Sequence, residues 1–186
     1  MEPQILDEEI YASAQDTKVE YAGFWIRVGA SLIDTLVYLP FIGLSMYNLY
    51  FLKNLPLVLF IDIVLLMYKP LMEFKYGATL GKMAVKIKVV NNNLGVLSLG
   101  QSFVRFTPYL VSQVVSTIGT VMLFQNPYFL EASGMTEVAA LQKEVFPSFV
   151  NSLASTFVLV CCIVVAFNGK KQGIHDMMAS TYCIYK

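Results

Sequence analysis

Two aspartates stand inside apolar runs that hold few other charges. Asp34 lies in a run from about Phe24 to Tyr47, and Asp62 in a second run from about Leu55 to Met72. Carboxylate oxygens suit hard cations, and intramembrane acids serve as proton carriers. Asp34 and Asp62 are therefore candidate transport or ion-binding residues, for Na+ or H+. A structural reading stands beside this one, because an acid among packed helices can hydrogen-bond its neighbours and set their register. Arg27 lies seven residues before Asp34, two turns along the same face. That is a rise of about 10 Å, long for a direct bridge. Arg27 is expected either to snorkel to lipid phosphate or to meet Asp176 of the tail. The second arrangement, a structural ion pair of Arg27 and Asp176, would dock the C-terminal segment under the bundle, and a charge-swapped pair should then recover the stability lost by either single change.

Other chemistries lack their residues. His175 is the only histidine, so zinc and two-histidine phosphohydrolase sites are short of ligands. Cys161 and Cys162 sit in an apolar run and Cys183 near the end, which is neither a disulfide framework nor a metal spacing. Gly77-Ala78-Thr79-Leu80-Gly81-Lys82-Met83 has the wrong spacing for a phosphate loop, and Met83 stands where Ser or Thr must bind magnesium. Gly81 and Lys82 read better as a turn with a lipid-facing cation. No nucleophile–base pair or cofactor loop appears, so neither an enzyme nor a cofactor is expected. Lys82, Lys86 and Lys88 form a candidate lipid-binding cluster, worth about 1 kcal/mol per charge at an anionic surface; the general excess of basic residues on a cytoplasmic face accounts for them equally.

The elements that must position these residues are apolar helices. The chain has 186 residues, 56% hydrophobic and only 14% charged, where a soluble domain carries about 25% charged. Thirteen basic and thirteen acidic residues leave no net charge, and so no field for nucleic acid. Four long runs, about 24–47, 55–72, 103–124 and 146–167, approach or exceed the roughly 20 residues that cross a hydrocarbon core. Continuous runs favour helices over a barrel, whose strands would alternate. The second run is the shortest in its uncharged part, so it reads either as a full span or as a re-entrant segment.

Basic residues set the expected orientation. Eleven of the thirteen fall on one side and only Lys53 and Lys143 on the other, which places both termini in the cytoplasm and makes the protein a multi-pass inner-membrane protein. Residues 1–20 form an acidic cytoplasmic segment without the basic start of a secretory signal. In the outer loop, Val138, Leu141 and Val145 recur at helical spacing. In the loop between the second and third spans, Val85, Ile87 and Val89 alternate with lysines, and Asn91–Gly95 is turn chemistry. A small cytoplasmic β-hairpin is expected there, with Val96 and Leu97 as its return arm. Ser98 and Gln101 then read as a capping box opening the third span. The fold class is thus an all-α membrane protein of four transmembrane helices.

Four segments together resemble the RDD membrane family, named for one arginine and two aspartates. Arg27-Val28-Gly29-Ala30-Ser31-Leu32-Ile33-Asp34 is similar to its opening. Gly77–Lys82 with Lys88-Val89-Val90 is similar to its cytoplasmic loop, and Leu99–Phe103 with Arg105 to its next span entry. Gln172–Thr181, with His175-Asp176 at its centre, is similar to its terminal motif. The resemblance covers about residues 21–182 and makes Arg27, Asp34 and Asp176 the naming triplet. It implies a small integral membrane protein with a transport role, some members being linked to sodium/proton exchange; Asp62 matches no family motif. Four spans make a thin wall for a pore, so a homo-oligomer or a partner membrane protein is expected. The alternative is a non-catalytic membrane scaffold or accessory subunit that binds a partner membrane protein or lipid.

Overall fold

The computed structural model describes residues 19–186, so the acidic segment up to residue 18 lies outside the described residues. Four long helices dominate it: α1 (Phe24–Tyr47), continued by a π-helical turn (Asn48–Leu52), α2 (Leu55–Tyr76), α4 (Leu99–Gln125) and α6 (Ser148–Phe167). Each is long and apolar enough to cross a membrane, with mean hydropathy from 1.3 to 2.3. Their outward faces carry large apolar side chains: Trp25 is 80% exposed and Phe167 86%. Apolar surface on this scale marks faces covered by lipid or by another membrane protein. The second run forms an unbroken helix of 22 residues, about 33 Å long, enough for a full span.

Local signals start and stop these helices. The Asn54 side chain accepts from the Leu57 amide and Pro56 occupies the first turn of α2. Gly77 ends α2 at φ +69°, a left-handed cap that glycine enters without strain. Ser98 and Gln101 form the expected capping box, their side chains exchanging bonds with each other's amides at 3.2 and 3.0 Å. The loop between α4 and α6 contains α5 (Met135–Val145), the helix read from its spacing. It joins Leu123, Phe129 and Ala132 around buried Val138 at the far end of the bundle. There the Lys53 ammonium donates to the Phe129, Leu130 and Ala132 carbonyls at 2.8, 3.0 and 2.6 Å.

At the opposite end, which carries both ends of the described chain, short elements close the bundle. They are α3 (Leu80–Ala84), β1 (Ile87–Asn91), α7 (Ile174–Met178) and β2 (Thr181–Tyr185). The small sheet differs from the hairpin expected between the second and third spans. β1 pairs antiparallel with β2, Val89 opposite Cys183, so the return arm comes from the C-terminus and not from Val96 and Leu97. The cause is local. The Asn91 side chain accepts from the Asn93 and Gly95 amides at 2.9 and 2.8 Å and donates to the Val96 carbonyl at 3.1 Å, which turns the chain sharply. Ser98 already caps α4, leaving too few residues to form a second strand. Tyr21 bridges to Ile184 on the other side of β2, and Ala22, Ala30, Ile87, Val89, Leu97 and Cys183 form the core beneath.

Candidate functional site

The charged residues gather at this terminal end, between the helices and the short elements that cap them. α2 packs along α4 and α4 along α6, while α1 touches α2 and α6 only lightly and packs instead against α3. A cavity of about 230 Å³ remains between α1 and the other three helices.

Asp34 faces this cavity from α1, 3% exposed and wrapped by donors. The Thr79 hydroxyl donates to it at 2.7 Å, the Gly81 amide at 2.8 Å and the Tyr68 hydroxyl at 3.1 Å. Thr79 is also the N-cap of α3, and Tyr68 accepts from the Leu80 amide, so one carboxylate pins α1, α2 and α3 together. Only glycine fits at position 81. A Cβ there would collide with the Ala30 carbonyl oxygen and come within 2.9 Å of the Asp34 carboxyl carbon. Gly81→Ala should therefore force α1 and α3 apart and cost about 1–3 kcal/mol, the usual penalty for overpacking. Thermal melting of the detergent-solubilised protein checks this; an unchanged midpoint would mean that the close approach is dispensable.

A second constellation crosses from the tail to the helices. Arg27 pairs with Asp176, as does Arg105, and Arg105 also bonds Glu73 at 2.9 Å and the Thr181 hydroxyl at 2.6 Å. Lys82 completes the chain of charges on the other Glu73 oxygen. Arg27 spends its remaining N–H groups on the Ala22 and Lys171 carbonyls at 3.1 and 2.6 Å. Asp176 is fully buried. Its burial works against the charged form, but Arg105 and then Arg27 outweigh it and hold the carboxyl well below the usual carboxylate range. Beside it, burial first, then the nearby Arg105, Lys82 and Arg27 charges, pull His175 down to about 4 against the opposing pull of Asp176. Ser102 Oγ and His175 Nδ1 are buried without a hydrogen-bond partner among the described residues, and both residues line the cavity.

The structure brings some of the sequence candidates together and separates others. Arg27 and Asp176 meet, as do Asp34 and the α3 turn. Asp62 does not line the cavity; it accepts from the Thr117 hydroxyl at 3.0 Å, six residues along α2 from Tyr68, about 9 Å nearer the far end. Lys82 faces inward onto Glu73, correcting its reading as a lipid-facing cation. Lys86 and Lys88 stay apart from it on the approach to and in β1, with Lys86 exposed. Glu73, Thr79 and Tyr68 went unremarked in the sequence as site residues. The available signal was an ionisable group within one turn of a helix end, at Glu73.

This arrangement, four apolar helices closed at one end by a buried ion network and a cavity, defines a multi-pass membrane protein. The chain belongs to the RDD family, whose model matches residues 21–180. Two similar proteins come from Bacillus subtilis (strain 168). "Uncharacterized protein YxaI" is 28% identical, over 67% of this chain and 97% of its own length. "Uncharacterized protein YckC" is 26% identical, over 88% of this chain and 84% of its own length. No solved structure matches the chain.

Proposed function

We propose that the protein is a transport protein, or a subunit of one, that moves a proton or a monovalent cation through the inner membrane with both termini in the cytoplasm. The observation that carries this reading is Asp34: a carboxylate ten residues into a spanning helix, at the wall of a cavity inside the bundle. Holding an acid at that depth is expensive, and a purely apolar contact would join the helices at less cost. Three donors already occupy Asp34, so either cargo would have to displace at least one of them before the carboxylate takes it up. Asp62, held by one hydroxyl and six residues along α2 from Tyr68, would be the next step of the path. A bundle of four spans supports action as an oligomer or beside a partner membrane protein.

Proteoliposomes loaded with a pH-sensitive dye test this. The wild type should dissipate a pH gradient, and Asp34→Asn should do so about tenfold more slowly, a barrier change of about 1.4 kcal/mol. Asp62→Asn should slow the same flux. Equal rates for wild type, Asp34→Asn and empty vesicles would remove the proposal and favour the accessory-subunit reading.

A further inference from the structure

Among the described residues, Lys69 is the cavity-lining lysine or arginine that the ion network does not use. It sits in α2, seven residues before the end of that helix, about 10 Å inside the bundle. Arg27 and Arg105 share Asp176, and Lys82 holds Glu73, but Lys69 makes no ion pair and no hydrogen bond among the described residues. Its ammonium instead rests 4.6 Å from the centre of the Tyr109 ring. Cation–π attraction offsets only part of the cost of a lysine at this depth. Arg27, Lys69, Lys82 and Arg105 line the cavity against Asp34 and Glu73, and with Asp176 held between the two arginines the formal balance is one positive charge, that of Lys69. Ser102, 1% exposed, adds a hydroxyl with no partner to the same wall. A proton relay through Asp34 uses neither Lys69 nor Ser102.

The cavity is also open sideways. Ser31, Leu32 and Thr35 of α1 line it and are themselves exposed, Leu32 by 65%. They lie about two to three turns into a spanning helix, at the level of acyl chains and not of water. We infer that this cavity is a binding site for an oxyanion carried by an amphiphile, with the anionic group on the Lys69 ammonium and the Ser102 hydroxyl and the apolar tail leaving past Leu32. The chemistry at Lys69 is that of a phosphate or carboxylate; the lateral opening favours a lipid headgroup over a free anion as its source.

The test uses the full chain, purified in a neutral detergent and examined by native mass spectrometry. The probes are phosphatidylglycerol, phosphatidylcholine and inorganic phosphate. The wild type should retain one phosphatidylglycerol and no phosphatidylcholine. Lys69→Gln should weaken that retention at least about tenfold, and Lys69→Arg should keep it. If inorganic phosphate is retained instead, and is lost in Lys69→Gln, the anion site stands and its source is water. Ser102→Ala, which removes one hydroxyl without changing the charge, should weaken retention several-fold and serves if Lys69→Gln does not fold. Retention of phosphatidylglycerol undiminished in either folded variant, or no anion retained by the wild type, would overturn the site. The flux assay reads Asp34 and this one reads Lys69, so either can fail alone.

Discussion

Arg105→Met should cost about 3–5 kcal/mol, enough to abolish most of the folded protein. Arg105 is 4% exposed and joins three parts of the molecule: α4 on which it sits, Glu73 of α2, and the tail through Asp176 and Thr181. Removing it takes one donor from each of two buried carboxylates. Breaking a buried pair in this way is far more damaging than the pair is stabilising, because the remaining charge keeps its desolvation cost. Lys82 still holds Glu73 and Arg27 still holds Asp176, so the loss should stop short of two fully stranded charges. Arg105→Lys should recover only part of it, since one ammonium cannot present a planar fork to two acids on different elements. Fluorescence-detected size exclusion and melting in detergent measure this; a Met variant that elutes and melts like wild type would show that the tail docks by its strand alone.

The same hub alters what a charge swap can do. If Asp176 met only Arg27, Arg27→Asp with Asp176→Arg would restore the pair. In the folded protein the new arginine would face Arg105, and like charges buried together repel. The doubly swapped protein should therefore fall short of the wild type, because its two arginines share the site with Arg27→Asp in place of a single shared acid between them.

What could be read beforehand, and what could not, follows from what a one-dimensional pattern encodes. Charges inside apolar runs are visible without a fold, which is why Arg27 and Asp34 stood out and why four helices were legible; Asp176 lies beyond the fourth run and stood out through the terminal motif of the family resemblance. The ends of helices are not, because a membrane helix continues past its last apolar residue. α2 runs on to Tyr76, beyond the expected end at Met72, and so carries Glu73 inside the bundle and not into a loop. The start of α4 at Leu99 was legible in the Ser98–Gln101 capping box, but not that Arg105, two turns into the helix, has its side chain buried. The direction of a short turn is equally hidden: Lys82 belongs to a five-residue helix whose orientation Asp34 sets from 47 positions away. Alternation predicted a strand near Ile87 but carries no information on its partner, and the pairing with Thr181–Tyr185 closes a loop of nearly half the chain. The cavity, finally, is a consequence of how α1 leans on α3, which no local signal contains.

The docked tail should loosen as the medium is acidified from pH 7 to pH 5. His175 lies outside the spanning helices, and burial, with three neighbouring cations, pulls it down to about 4 from an ordinary value near 6.5. Between those two values the undocked tail binds a proton that the docked tail refuses. Docking is then favoured fully above the ordinary value and weakens steadily as pH falls toward 4. Over the interval from pH 7 to pH 5 the loss is about 2 kcal/mol, from about 1.4 kcal/mol per pH unit once the free imidazole is mostly protonated. Asp176 contributes nothing to this window, because the arginines keep it ionised far below pH 5 in the docked state and it is ionised when free as well. His175→Gln should therefore flatten the response without abolishing the ion network, since Asp176 keeps Arg27 and Arg105. Limited proteolysis or hydrogen exchange over Gly173–Lys186, followed across pH 7 to pH 5, reads the docking directly. Equal acid sensitivity in wild type and His175→Gln would assign the loosening to another group and leave the buried imidazole without a part in it.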